Sequence, residues 1–209
     1  MVAPWKILNV VGDFGPTAAK EEEIDLVENI EVNMSSEKPT FSEETLALVN
    51  RIKARYPEGR QKSALLPVLH LAQAEFDGWL SPAVMDYVAS LLNIKPIEVY
   101  EVASFYSMYN LEPVGKCLLE VCQTGPCWLR GADDIVAHLE KKLGIKNGET
   151  TPDGMFTLKT VECLGSCGTA PMLQCGAEYY EDLTPEKADA LVDKLRASGQ
   201  RSSYMKSVR

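Results

Sequence analysis

Positive charge, histidine and long apolar stretches are all scarce in this sequence. Lys and Arg number 21 against 30 Asp and Glu in 209 residues, a net charge of −9. So acidic a chain argues against nucleic acid or an anionic membrane surface as partner, because both are met by basic faces. The uncharged stretch of the helical half, residues 63–74, is 12 residues long and carries Pro67. A membrane-spanning helix needs ~18 apolar residues, so no direct membrane insertion is expected. Residues 1–40 hold no Arg and eight acids, which does not fit a mitochondrial transit peptide. Lys6 interrupts the short apolar patch at the start, unlike a secretory signal. The expectation is a cytoplasmic protein, or a mature form whose leader has gone. Neither an internal repeat nor a low-complexity tract is present.

What is there is ordinary globular material. At ~150 residues per domain the length allows one to two domains. A content of 45% hydrophobic and 24% charged residues excludes wholesale disorder. Six of the acids of residues 1–40 fall within residues 21–31, a run that reads as an acidic extended or disordered arm. Residues 41–112 read as a small helical bundle. Ser42 suits an N-cap with Phe41 stapling onto Leu46, and Leu46, Val49, Ile52 and Tyr56 recur at helical spacing. A second helix is expected over 63–76, with Pro67 tolerated in its first turn. Ser81-Pro82 opens a third and Pro96 a fourth. His70 has no second ligand near it in sequence and reads as a core or surface histidine.

From about residue 113 the period changes. Residues 116–122 (KCLLEVC) are strand-like, 129–143 form an amphipathic helix, and 155–161 form a strand after two turns. Short strands at 172–175 and around 178–180 follow, then a helix capped by Thr184-Pro185. This β-α-β-β-α order over 113–197 is α/β or α+β. Residues 198–209 make a basic tail, read as solvated or as docking onto an acidic partner surface.

The six cysteines carry the chemistry. Without a secretory signal a disulfide framework is not expected. Four form two pairs in glycine-containing turns, Cys122-Gln-Thr-Gly-Pro-Cys127 and Cys163-Leu-Gly-Ser-Cys167, all expected at strand ends or in loops. Four thiolates from two loops suit tetrahedral zinc or an iron–sulfur cluster. Structural zinc favours tighter knuckles, commonly with two intervening residues. The present spacings of four and three suit a [2Fe–2S] rhomb, with each loop serving a different iron. No C-x-x-C is present, so a thioredoxin-type dithiol motif is missing. No histidine lies among the ligands, which excludes a Rieske centre. Zinc, and catalytic or incidental thiols, remain open on spacing alone. Cys117, within a strand, and Cys175, at a strand end, read as buried structural thiols. Trp128 reads as a packing residue and His138 as a helix-face residue, while Arg130 beside Cys127 is assigned to neither cluster nor partner.

A resemblance narrows these choices. The run from Cys122 through Cys127-Trp-Leu-Arg-Gly131, Val161-Glu-Cys163-Leu-Gly-Ser-Cys167-Gly-Thr-Ala-Pro-Met172 and Tyr179-Tyr-Glu-Asp-Leu-Thr-Pro185 closely resembles the thioredoxin-like [2Fe–2S] subunit of NADH:quinone oxidoreductase, respiratory complex I. In the helical half, Tyr56-Pro-Glu-Gly-Arg60, Gly78-Trp-Leu-Ser-Pro82 and Val99-Tyr-Glu-Val-Ala103-Ser-Phe-Tyr106 resemble it too. The likeness implies an α/β fold, an N-terminal small helical bundle followed by a thioredoxin-like [2Fe–2S] ferredoxin domain. It implies one [2Fe–2S] cluster on Cys122, Cys127, Cys163 and Cys167, exchanging single electrons with the FMN of a partner flavoprotein. NADH and FMN would be bound by that partner, since this chain has no G-x-G-x-x-G and no P-loop. A second partner would be the large iron–sulfur subunit of the peripheral arm. The chain would then be an electron carrier without an active site of its own, in a proton-translocating assembly on the cytoplasmic side of the bacterial inner membrane. The equivalent small subunit of an NAD-reducing hydrogenase or NAD-dependent formate dehydrogenase is the alternative within the same chemistry, and a zinc-stapled interaction module the alternative outside it.

Overall fold

Several helices begin where a side chain can satisfy an orphan amide. In the computed structural model, which describes residues 39–202, α1 (Glu43–Lys53) starts with Ser42 Oγ accepting from the Thr45 amide, and α3 (Pro82–Leu92) with Ser81 Oγ accepting from Val84. Between them α2 spans Leu65–Glu75 after a 3₁₀ turn at Gln61–Ala64, so Pro67 does lie in its first turn. α4 (Pro96–Phe105) is opened by Glu98, whose carboxylate accepts from the Lys95 amide at 2.9 Å. The arm expected over residues 1–40 lies outside the described residues except for its last two, and so does the tail beyond residue 202.

The four helices enclose one apolar core built from Val49, Leu65, Val68, Leu69, Leu80, Val88 and Val99. Phe41 closes it, stacked on Phe76 at 5.4 Å and edge-on to Tyr87 at 5.3 Å. One buried polar group organises the exit from the bundle. Gln73 is 2% exposed; its Nε2 donates to Met108 O at 3.0 Å and its Oε1 accepts from the Asn110 amide at 2.7 Å. Asn110 Nδ2 in turn donates to Gly78 O. The chain leaving α4 is thereby held against α2 with its backbone satisfied, as burial demands.

The second half is a four-stranded sheet in the order β2-β1-β3-β4, with strands β1 (Cys117–Cys122), β2 (Phe156–Val161), β3 (Leu173–Cys175) and β4 (Glu178–Tyr180). β1 pairs parallel with β2, Cys117 opposite Phe156 and Cys122 opposite Val161, and antiparallel with β3, Val121 opposite Leu173. β1 is central and buried at all six positions, Glu120 included, as a strand covered on both faces is. Leu119, Val121, Phe156, Leu158 and Leu173 meet Ile135 and Leu139 of α6 (Ala132–Leu143) and Leu191 and Val192 of α7 (Pro185–Ser198) in a second core.

Two expectations change. The helix expected over 129–143 starts three residues later, as α6, and is preceded by a separate five-residue α5 (Gly125–Leu129) that was not expected. The break lies at Gly131, whose φ of +90° is left-handed and open to glycine at little steric cost. The chain after α7 also turns back. The Ser202 amide donates to Lys116 O at 2.8 Å, and Arg201 Nη1 donates to Asp77 O at 2.7 Å and to Gly115 O. Residues 200–202 thus tie the start of β1 to the turn after α2. Among the described residues no helix is long and apolar enough to cross a membrane.

Replacing Gln73 by Leu removes both partners at once and strands the Asn110 N–H. We expect a loss of about 1–3 kcal/mol, read as a lower urea midpoint at unchanged slope.

Candidate metal centre

The parallel pairing of β1 and β2 brings their C-terminal ends to the same edge, and the two cysteine turns begin there. Cys122 is the last residue of β1; Cys163 follows β2 by two positions. Cys127 lies within α5, in a helix rather than in the loop expected from the sequence, and Cys167 opens a 3₁₀ turn at Cys167–Thr169. The sulfurs meet as two pairs. Cys122 lies close enough to Cys127 to shift its ionisation, and so does Cys163 to Cys167. The pairs also feel each other electrostatically, Cys167 acting on Cys127 and Cys122 on Cys167.

The two sides of the site differ. Cys122 and Cys127 are each 2% exposed and share a small apolar nest with Ala132, Ala170, Met172 and the half-buried Leu164. Cys163 and Cys167 are exposed. Burial opposes ionisation of Cys122, yet the amides of Leu164 and Thr124, the Cys127 thiol and the Thr124 hydroxyl together hold its thiol below the ordinary range. Burial, and then Cys122 beside it, push the Cys127 thiol up to about 11, against an amide hydrogen bond from Met172. Cys167 is raised by local desolvation and by the adjacent Cys163. Loading a metal centre here must therefore release protons.

Amides from one loop thus point at sulfurs of the other: Leu164, next to Cys163, serves Cys122. The second loop is braced from β4 and beyond. Tyr179 Oη donates to Leu164 O at 2.8 Å, and the Glu181 carboxylate accepts from the hydroxyls of Ser166 and Thr169. No role was read for Glu181 from the sequence. Its only signal was its place in the Tyr179–Thr184 run, because the Ser and Thr it holds are more than ten residues away. Trp128, expected to pack, is instead 58% exposed, beside Leu129 at 77%. His138 bridges helices, its Nε2 lying 2.9 Å from Asp189 Oδ1, and His70 lies against the Tyr109 ring at 5.0 Å.

The donor set fits a dinuclear cluster. Among the described residues no three of His, Cys, Asp and Glu converge closely enough for one ion, whereas four thiols stand as two facing pairs. A Cβ added at Gly125, Gly165 or Gly168 would meet nothing within 4 Å, so the space beside both loops is free of protein atoms. Sulfur ligands, amide donors and an apolar floor are what an all-cysteine iron–sulfur site uses.

Residues 49–196 match the family of thioredoxin-like [2Fe–2S] ferredoxins. A subunit of NADH-quinone oxidoreductase from Rickettsia bellii (strain RML369-C) is 50% identical over 157 residues, covering 75% of this chain and 94% of that protein. NADH dehydrogenase [ubiquinone] flavoprotein 2, mitochondrial, of Dictyostelium discoideum is 46% identical over 156 residues, 75% of this chain and 63% of that protein. Among solved structures, an NAD+-reducing [NiFe]-hydrogenase in the air-oxidized state aligns with a TM-score of 0.57 at 22% identity, over 68% of this chain and 24% of that chain; the likeness is one of fold.

Gly165 has a φ of +82°. Gly165→Ala should cost about 1–2 kcal/mol, lowering the melting temperature by roughly 2–8 °C; circular dichroism melts of the two proteins measure it.

Proposed function

Since the chain belongs to the family of thioredoxin-like [2Fe–2S] ferredoxins, we propose that it is the electron-transfer subunit of the NADH-oxidising module of an NADH:quinone oxidoreductase, with Cys122, Cys127, Cys163 and Cys167 holding one [2Fe–2S] cluster. The observation that carries the reading is the meeting of the two thiol pairs at one sheet edge, in a chain half identical to proteins named as a subunit of NADH-quinone oxidoreductase. When bound, the cluster supplies a one-electron couple.

The chain's own residues set the conditions for it. Cys122 and Cys127 anchor the inner side, where Met172 and Ala170 exclude water. The amides of Leu164, Thr124 and Met172 donate to the thiolate sulfurs; such donors stabilise added negative charge and favour the reduced state. Cys163 and Cys167 form the outer side, where electrons enter and leave. Around that side Trp128, Leu129 and Tyr179 are exposed. An apolar rim beside an exposed redox site suits a protein partner. We assign that partner as the flavoprotein that binds NADH and FMN, because this chain carries neither a G-x-G-x-x-G nor a P-loop. The large iron–sulfur subunit of the peripheral arm is the second neighbour. On this reading the chain has no active site of its own, serves a proton-translocating assembly, and works at the cytoplasmic side of the membrane, where thiols stay reduced. Identity of 50% with the Rickettsia bellii protein against 22% with the hydrogenase favours complex I over a diaphorase role.

Anaerobic isolation should yield iron and acid-labile sulfide in equal amounts and a reduced-state EPR signal. Replacing any one of Cys122, Cys127, Cys163 or Cys167 by Ala should abolish that signal or make it labile, whereas Cys117→Ala and Cys175→Ala should keep it. A normal signal from Cys163→Ala, or stoichiometric zinc in a colourless protein, would contradict the assignment. Co-isolation of a hydrogenase or formate dehydrogenase in place of the flavoprotein of complex I would move the chain to the other assembly.

A further inference from the structure

Two cysteines lie outside the metal centre, and the fold brings them together. Cys117 begins β1 and Cys175 ends β3. The register that sets Val121 opposite Leu173 sets Leu119 opposite Cys175, so Cys117 and Cys175 are diagonal neighbours on one sheet face. Each thiol shifts the ionisation of the other, and the Cys117 Sγ also donates to Gln200 O at 3.5 Å. Both are buried, at 0% and 3% exposure, yet both line a cavity of about 100 Å³. Its rim includes the exposed Ala177, Glu178 and Gln200, so the cavity runs from the surface to the residues that carry the two thiols.

The surroundings make the two thiols unequal. Cys175, Ser202 and the cationic Arg201 and Lys116 outweigh burial at Cys117 and bring its thiol down to about 7. The Cys117 thiol and burial push Cys175 far above the ordinary range, with Glu120 adding to the shift. Tyr180, on β4, faces the same pair. The surroundings thus favour the ionised form at Cys117 and the protonated form at Cys175, which is the division of labour between an attacking and a resolving cysteine.

We propose that Cys117 and Cys175 form a reversible dithiol–disulfide site that takes small hydroperoxides as its oxidant. The Cys117 thiolate attacks the peroxide: an S–O bond forms, the O–O bond breaks, and the departing alkoxide or hydroxide takes a proton. Cys117 is then a sulfenic acid. The Cys175 sulfur attacks it, the S–S bond forms, the S–O bond breaks, and water leaves with the Cys175 proton. Two thiols and one hydroperoxide give one disulfide, one alcohol or water, and one water; the sulfurs lose the two electrons that the peroxide gains. A small dithiol reverses the step by exchange. Cys122 lies five residues further along β1, about 16 Å at the rise of a strand, so the metal centre is not consumed.

The test uses the full chain with its cluster, exposed anaerobically to hydrogen peroxide, then alkylated under denaturing conditions and digested without reductant. The expected product has lost two hydrogens, contains a single Cys117–Cys175 linkage, returns to the dithiol with dithiothreitol, and keeps its iron and sulfide. Its rate of formation should rise about tenfold between pH 6 and pH 8, following the thiolate fraction. Cys175→Ser should stop at a sulfenic acid on Cys117 that dimedone traps, and Cys117→Ser should leave Cys175 at least tenfold slower. Mapping of the unsubstituted protein decides even if a variant fails to fold. The proposal is overturned if both cysteines remain alkylatable after oxidation, if the linkage runs to Cys122, Cys127, Cys163 or Cys167, or if dithiothreitol does not restore the thiols.

Discussion

The parallel register of β1 on β2, Cys122 opposite Val161, is the constraint on which the rest depends. Parallel strands end on the same side of a sheet, so the two cysteine turns emerge side by side although more than thirty residues separate them. The crossover helix α6 secures that register, because Ile135 and Leu139 can be buried only against the face that carries Leu119, Val121 and Leu158. A one-residue slip would send those side chains to the opposite face and carry Cys122 away from Leu164. Chemistry at the sheet edge is thus held in place by apolar packing well removed from it.

The helical half and the chain end contribute through polar contacts of unusual reach. Gln73 supplies the segment after α4 with both partners it needs, Lys159 Nζ donates to Ser107 O at 2.8 Å, and Arg201 spans Asp77 and Gly115. These bonds join segments between about 35 and 124 residues apart, and those of Lys159 and Arg201 tie the bundle to the sheet. They are directional, so they fix orientation where apolar contact alone would tolerate sliding. The same C-terminal turn that places Arg201 also roofs the Cys117–Cys175 pair, so the integrity of one contact bears on the environment of the other.

Six thiols in and beside one small sheet are sorted by surroundings. The outer pair is exposed, the inner pair is buried under amide donors, and the third pair is buried against a cavity beside two cations. A thiol among amides aimed at its sulfur suits ligation. A thiol beside cations and a second thiol suits redox exchange. Residue type is the same throughout; access and local charge decide what each sulfur does.

Local order was open to reading from the sequence because its causes are local. Ser42, Ser81 and Thr184 cap the helices they precede, Pro67, Pro82 and Pro96 sit in first turns, and the short apolar stretches around Cys117 and Phe156 mark strands. The spacing within each cysteine turn is likewise a property of a few adjacent residues, so a metal centre could be argued before any coordinates. The break at Gly131 was missed because a left-handed glycine leaves the apolar period on either side almost intact. Which cysteines face one another, that Trp128 lies outside, that Glu181 braces the second loop, and that Cys117 meets Cys175 were decided only by the tertiary structure. Each depends on strand register and on contacts between distant segments, and a sequence records which groups are available but not which are brought within a few ångströms.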